Sequence, residues 1–444
     1  MSCSGLKALG YYDSLLAQIN NNLETEAYEE NLLLKEKLLT SEAFLKLPCH
    51  LKGKIFHKIG ISYYWLNRED EAIDCFENLA LKSWKDCDGV PESERANTIY
   101  NIGISYQYLG NNVQAKKYLD EAIYIFENDP DYPPLRLGNY YNGIANFYLE
   151  NLDAFRAELY FENSLNVLKD VEDSEALQFE VLNRFLILCI DFKKYEKADS
   201  IISRALSLAE EFPNSISSYD LAFLYQNAGI YYFELEDFEQ ASKLTMKGLE
   251  LIDPQETPDL YAEAIEKIAL IKSESEKFDE TIELLNEVVQ TRKALLSTLE
   301  TYQALAYAYE NLAEVHQKKG DYAKAHRHLQ QAFKYMMING KYDKSGIPVV
   351  NQSILINDLD MVRQLSIKAN IYEDQFEVNG QEELLEKSLS LYAKIDTLIS
   401  KNILFFQFEA SKLNFLELIQ SYYGKGINTA LKLRNKSGVL VDSF

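Results

Sequence analysis

The stretch Ile99-Tyr100-Asn101-Ile102-Gly103-Ile104-Ser105-Tyr106, followed by the turn Leu109-Gly110-Asn111 and then by Ala115 and Leu119, decides the fold of this chain. Ile99, Ile102, Gly103 and Tyr106 stand at i, i+3, i+4 and i+7, the spacing of one buried face of an α-helix. Twelve residues after Gly103, Ala115 places a second small residue in a second amphipathic segment. Gly110 lies between them and supplies the left-handed residue that ends a helix. Two small residues on facing helices let the helices approach closely, so the stretch predicts an antiparallel helical hairpin.

The pattern recurs outward in both directions. Phe56, Ile59, Gly60 and Tyr63 precede it; Tyr141, Ile144, Ala145 and Tyr148 follow. Further copies are Leu182, Phe185, Leu186, Cys189; Tyr225, Ala228, Gly229, Tyr232; and Tyr309, Leu312, Ala313, His316, with a weaker one at Ile265, Ile268, Ala269, Lys272. The second small position is Ala72, Ala115, Ala157, Ala198, Ala241, Thr281 or Ala325. Phe76, Leu119, Phe161, Ile202, Leu285 and Leu329 are expected to fill the gap to the next unit, with Thr245 the exception. An all-α chain follows, a right-handed α-solenoid of stacked hairpins.

These positions resemble the tetratricopeptide repeat, whose signature of small, aromatic, alanine and aromatic residues is written seven times between Phe56 and Tyr335. The small positions fall 40 to 44 residues apart, longer than the usual repeat of about 34. The resulting division is 1–50 as N-terminal capping helices, with a hairpin over Gly10 to Leu39, and 51–337 as seven repeats. Residues 338–357, with Gly340, Gly346 and Pro348, form an irregular break. Residues 358–444 hold a degenerate repeat with a turn at Val378-Asn379-Gly380 and a last helix from about Asn402 to Lys432.

Three C-terminal segments carry a narrower resemblance. Ser388-Leu389-Ser390-Leu391-Tyr392-Ala393-Lys394-Ile395-Asp396, Ser411-Lys412-Leu413 and Tyr422-Tyr423-Gly424-Lys425-Gly426 are similar to the end of the repeat arm in bacterial CHAT proteins. In that family repeats precede a caspase-like protease domain with a His and Cys dyad. The resemblance implies a sensor or regulatory arm whose protease part is absent from this chain. The long repeats also resemble those of Rap-type signalling proteins, which implies a peptide-responsive regulator.

Composition narrows the partners. With 45 Lys plus Arg against 69 Asp plus Glu, the formal net charge is −24, a field that repels nucleic-acid phosphates and anionic lipid. No apolar run approaches the roughly 20 residues of a membrane helix, and Met1 to Leu9 lacks the features of a signal peptide. The expected location is the cytoplasm. Cys3, Cys49, Cys75, Cys87 and Cys189 are odd in number and contain no CxxC pair, so they are expected to be ordinary thiols.

No phosphate-binding loop, zinc-protease helix, nucleophile elbow or calcium loop occurs, and neither catalysis nor a cofactor is implied. His326 and His328 point to nearly opposite sides of a helix and cannot share a metal, while His316 occupies an aromatic slot of its repeat. The informative row lies two residues before each small position, on helices expected to line a concave groove: Lys58, Asn101, Gly143, Arg184, Asn227, Lys267 and Asn311. Asn142 and Asn146 flank the glycine and can supply its amide. Asn donates to and accepts from an extended peptide backbone, and Lys and Arg pair with carboxylates. Trp65, Tyr108, Phe223 and Tyr307 lie a turn away as apolar anchors. The expected partner is a protein or peptide with an acidic segment.

Overall fold

Each hairpin is delimited by the same turn chemistry. Asn67, Gly110, Leu152, Lys193, Glu236, Glu276 and Gly320 all take positive φ, so glycine fills this left-handed position in only two of the seven turns. The next residue's N–H then reaches back to the carbonyl of the aromatic slot, as in Asn111 to Tyr106 (2.9 Å), Asp153 to Tyr148 (2.8 Å) and Asp321 to His316 (2.8 Å). The side chains of Asn111, Asp153, Asp237 and Asp321 accept a backbone N–H of the following helix and cap it.

The computed structural model describes residues 3–337, 340–344, 346–350, 357–403 and 409–437. Helices α1 (Cys3–Glu24), α2 (Tyr28–Thr40) and α3 (Glu42–Leu45) come first. The first hairpin joins α4 (Cys49–Trp65) to α5 (Glu69–Asp74), a π-helical stretch Cys75–Leu81 and α6 (Lys82–Trp84). Then follow α7 (Glu92–Tyr108) with α8 (Asn112–Glu127), α9 (Pro134–Glu150) with α10 (Ala154–Leu168), and α11 (Glu175–Asp191) with α12 (Tyr195–Glu211). The next pairs are α13 (Ser218–Glu234) with α14 (Phe238–Leu249), α15 (Pro258–Glu274) with α16 (Phe278–Ala294), and α17 (Leu299–Lys318) with α18 (Tyr322–Tyr335). The chain closes with α19 (Asp358–Asn379), α20 (Glu382–Ile403) and α21 (Glu409–Ser437). Among the described residues there is no strand, only an isolated bridge between Tyr342 and Pro348.

The architecture is an all-α solenoid of tetratricopeptide-type hairpins, in two compact units, Met1–Ile144 and Ala145–Phe444. Within the first, α1 and α2 both pack on α4. Within the second, consecutive first helices touch one another, α11 on α13, α13 on α15, α15 on α17 and α17 on α19. Second helices do not meet each other to the same extent, so the first helices form the inner layer. Helix α21 packs on α20 and also reaches α10. The expected last helix from Asn402 is displaced: Asn402 belongs to α20, and Gly380, left-handed at φ 70°, caps α19 before it.

Small residues carry the packing. The seven second small positions, Ala72 through Ala325, are all fully buried. At the glycine positions the residue sixteen on packs within its own hairpin, where a gap to the next unit was expected to take it: a Cβ on Gly60 would lie 2.4 Å from the Phe76 ring, and one on Gly103 2.8 Å from Leu119. Gly229 faces Thr245 in the same way, with its hydroxyl at 2.4 Å, and that hydroxyl is satisfied by the Ala241 carbonyl at 2.9 Å. Phe161 also stacks on Phe185 of the next hairpin, 5.4 Å between ring centres.

The cysteine expectation is corrected. Cys49 and Cys87 form a disulfide with Cα atoms 5.9 Å apart, closing 38 residues of chain around the first hairpin; Cys75 and Cys189 remain buried free thiols. Pairing follows spatial proximity, which motif spacing does not encode. The π-helical stretch and the docking of Trp84 in the space left by Gly53, where a Cβ would meet the indole at 2.1 Å, bring Cys87 back to the start of α4. The Trp84 indole N–H donates to the His50 carbonyl at 3.0 Å.

Candidate peptide-binding face

Two adjacent rows of side chains occupy the first helices, and they have different tasks. Three residues before each small position stand His57, Tyr100, Asn142, Asn183, Gln226, Glu266 and Glu310. In the first unit, His57 Nδ1 meets the Thr98 hydroxyl of α7 at 2.8 Å, and the Tyr100 ring packs edge-on against Tyr140 at 4.5 Å. In the second, the Asn183 amide donates to the Asp220 carbonyl on α13 at 3.2 Å and the Gln226 amide to the Leu260 carbonyl on α15 at 3.3 Å. Glu266 accepts from Asn311 of α17 at 2.9 Å, and Glu310 accepts from Arg363 Nε of α19 at 2.6 Å. At these positions the row ties a first helix to the next within its unit. Its signal was visible in the sequence as an unbroken run of hydrogen-bonding residue types beside the core.

The row two before the small position is partly drawn into the same work. Lys267 donates to Gln226 Oε1 at 3.2 Å with its side chain only 14% exposed, and burial holds its ammonium below the usual lysine range. Asn311 is held by Glu266. Gly143 carries no open step in a groove, because a Cβ there would lie 1.9 Å from the Tyr100 hydroxyl, so the glycine seats that phenol. Asn142 is buried, and the expectation that it supplies an amide to a groove is corrected: it lies on the bonded row, facing the packing.

Three members of this row, and Asn146 just after the small position Ala145, have no side-chain hydrogen-bond partner among the described residues. Lys58 and Asn101 lie in the first unit, Asn146 and Arg184 in the second. Lys58 is half-buried, and its ammonium is lowered first by burial and then by Lys54 and Arg136, so three cations gather there. Lys54 is compensated by Glu94 at 3.0 Å. Arg184 is exposed and lies over the Phe223 ring at 5.6 Å. Asn227 is almost fully buried, and its amide nitrogen has no acceptor among the described residues.

The proposed anchors divide likewise. Trp65 is 57% exposed and stacks on Tyr28 at 6.3 Å, and Tyr108 is exposed at 39%. Tyr307 is instead committed to structure: its hydroxyl donates to Asp360 at 2.7 Å and Arg363 lies over its ring at 4.6 Å. Burial beside this cluster lifts the Glu310 carboxyl to about 8 against the downward pull of Arg363.

The histidines behave as packing residues. His328 stacks on His316 at 5.1 Å, while His326 turns to the other side and meets Tyr372 at 4.9 Å. Among the described residues no group of three His, Cys, Asp or Glu side chains could hold a metal, and no helix is long and apolar enough to cross a membrane.

Residues 96–129 and 305–335 match family models described as tetratricopeptide repeat. The chain carries tetratricopeptide repeats. A Rap protein crystallised with competence and sporulation factor is similar in fold, with a TM-score of 0.50 at 14% identity over 86% of this chain and 99% of that one. The apo form of RapI gives 0.49 at 14% identity, covering 86% and 99% of the two chains. A tetratricopeptide repeat protein from Parabacteroides merdae gives 0.42 at 13% identity, covering 74% and 99%. No curated protein matches the sequence. At these identities the first likeness shows the fold alone.

Proposed function

We propose that this chain is a non-enzymatic interaction module that takes a peptide, or an extended segment of a protein, along the first helices of its repeats. The carrying observation is a contrast within each unit: the row three before the small position is spent on packing and bonds between repeats, while Lys58 and Asn101 in the first unit, and Asn146 and Arg184 in the second, keep their side-chain donors and acceptors open. Lys58 in the first unit and Arg184 in the second each favour an acidic segment, and the amides beside them suit a peptide backbone. The similarity in fold to a Rap protein complexed with competence and sporulation factor supports a bound partner of this kind. The test is capture of partners by the wild-type chain and by Arg184→Glu, with affinity for any captured partner then measured by calorimetry at two salt concentrations. Equal affinity in both proteins would move the binding surface elsewhere.

A second reading rests on the segments 388–396, 411–413 and 422–426, whose likeness to the end of CHAT repeat arms favours a regulatory role toward a caspase-like protease. The test is whether this chain changes the activity of a caspase-like protease encoded beside it.

A further inference from the structure

Lys368 on α19 is 5% exposed, and among the described residues no carboxylate stands within ion-pair distance of it. Its ammonium donates to His326 Nδ1 at 2.9 Å and lies over the Tyr372 ring at 5.4 Å. His326 can accept there because its Nε2–H is directed to Gln375 Oε1 at 3.0 Å. Two N–H bonds of the buried ammonium are therefore left without an acceptor among the described residues. Burying an unpaired charge is costly unless something of opposite sign reaches it.

Lys368 borders a cavity of about 730 Å³ together with Lys324, His326, Arg327, Tyr309 and Tyr372, and no carboxylate lines it. Helix α18, which forms one wall, reads Lys324, Arg327 and Lys334 with no Asp or Glu at all, in a chain whose net charge is −24. Lys324 is paired with Asp321 at 2.9 Å, whereas Arg327 is exposed and has no hydrogen bond among the described residues. Burial also pushes Lys368 down to about 8 and His326 to about 4, a cost that an anion beside them would reduce.

We propose that this cavity binds a small phosphorylated molecule, its phosphoryl oxygens held by Lys368 and Arg327 with Lys324 at the rim. A guanidinium and a nearby ammonium match the charge of a phosphate monoester, about −1.5 to −2, better than that of a single carboxylate, and the guanidinium fork suits its geometry. The volume falls within the several hundred Å³ usual for small-molecule sites, leaving room for more than the anion itself. The site is lined chiefly by α18 and α19, whereas Arg184 stands on α11.

The test is calorimetry of the full chain in phosphate-free buffer with ribose 5-phosphate, adenosine monophosphate, inorganic phosphate, adenosine and acetate. Saturable binding of the two esters, with inorganic phosphate at least tenfold weaker and no binding of adenosine or acetate, is expected. Lys368→Met and Arg327→Gln should each weaken the esters at least tenfold. Lys368→Met should also raise the melting temperature, since it removes an unpaired buried amine. Arg327 is exposed, so its variant decides the matter even if the other misfolds. Absence of ester binding, or ester affinity unchanged in Arg327→Gln, would overturn the proposal. Inorganic phosphate binding as tightly as the esters would overturn the assignment in favour of the bare anion.

Discussion

Asn311 donates to Glu266 at 2.9 Å across the seam between two repeats, and Glu266 in turn receives both guanidinium nitrogens of Arg292, at 2.9 and 2.7 Å. The side chain that the repeat register assigns to a binding face is thus a structural bond in one hairpin and an open group in another. Lys267 and Gln226 repeat the arrangement one hairpin earlier. What decides the role is the residue three before the small position on the preceding repeat: where it offers an accepting oxygen within reach, the next repeat's side chain is captured.

Lys267→Glu and Arg184→Glu should therefore separate. The first puts a carboxylate beside Glu263 and Glu266 and strands Gln226, costing about 1–3 kcal/mol in urea unfolding. The second alters an exposed residue and should stay within about 0.5 kcal/mol. Equal stability of the two variants would contradict the captured role of Lys267.

Gly60→Ala should destabilise, because its methyl group would stand 2.4 to 2.9 Å from the fully buried Phe76 ring. Gly103→Leu should do the same against Leu119. Each is expected to cost about 1–3 kcal/mol by overpacking. A melting temperature equal to that of the wild type would remove these glycines from the close contact.

His57 is held at about 4, first by burial and then by Lys58 and Lys54. Unfolded, it titrates near 6.5. Between those values the unfolded chain binds the proton that the folded chain refuses, so stability is full above about pH 6.5 and falls as the pH drops toward 4. Glu310, raised to about 8, acts in the opposite sense, gaining stability as the pH falls from about 8 toward the unfolded carboxyl value of about 4.3. The difference between wild type and His57→Gln isolates the histidine. Unfolding free energies of the pair should converge as the pH is lowered from 7 to 4, and a constant gap would refute the shift.

The Cys49–Cys87 bond should leave three of the five cysteines reactive in denaturant without reductant and all five with it. By the chain-entropy account a loop of this size contributes about 3–4 kcal/mol, so Cys87→Ser should lower the urea midpoint by a corresponding amount. Because such bonds persist in oxidising compartments, the disulfide and the expected cytoplasmic location pull in opposite directions. Thiol counting on protein taken directly from its cells, with rapid alkylation, measures which prevails.

The sequence by itself determined the helices, the hairpins and the close contacts at Gly60, Gly103 and Gly229, because helical periodicity and the size of a side chain are local properties repeated in register. It also determined that His326 and His328 face apart, since 100° per residue allows nothing else. Tertiary structure alone decided the rest. Whether Lys58 or Lys267 is free depends on what the neighbouring repeat places within about 3 Å, Cys49 meets Cys87 only after a π-helical stretch redirects the chain, and Lys368 lacks a counter-charge only once α18 and α19 are packed together. These are relations between segments tens of residues apart, and their energies turn on distances and burial that no single repeat contains.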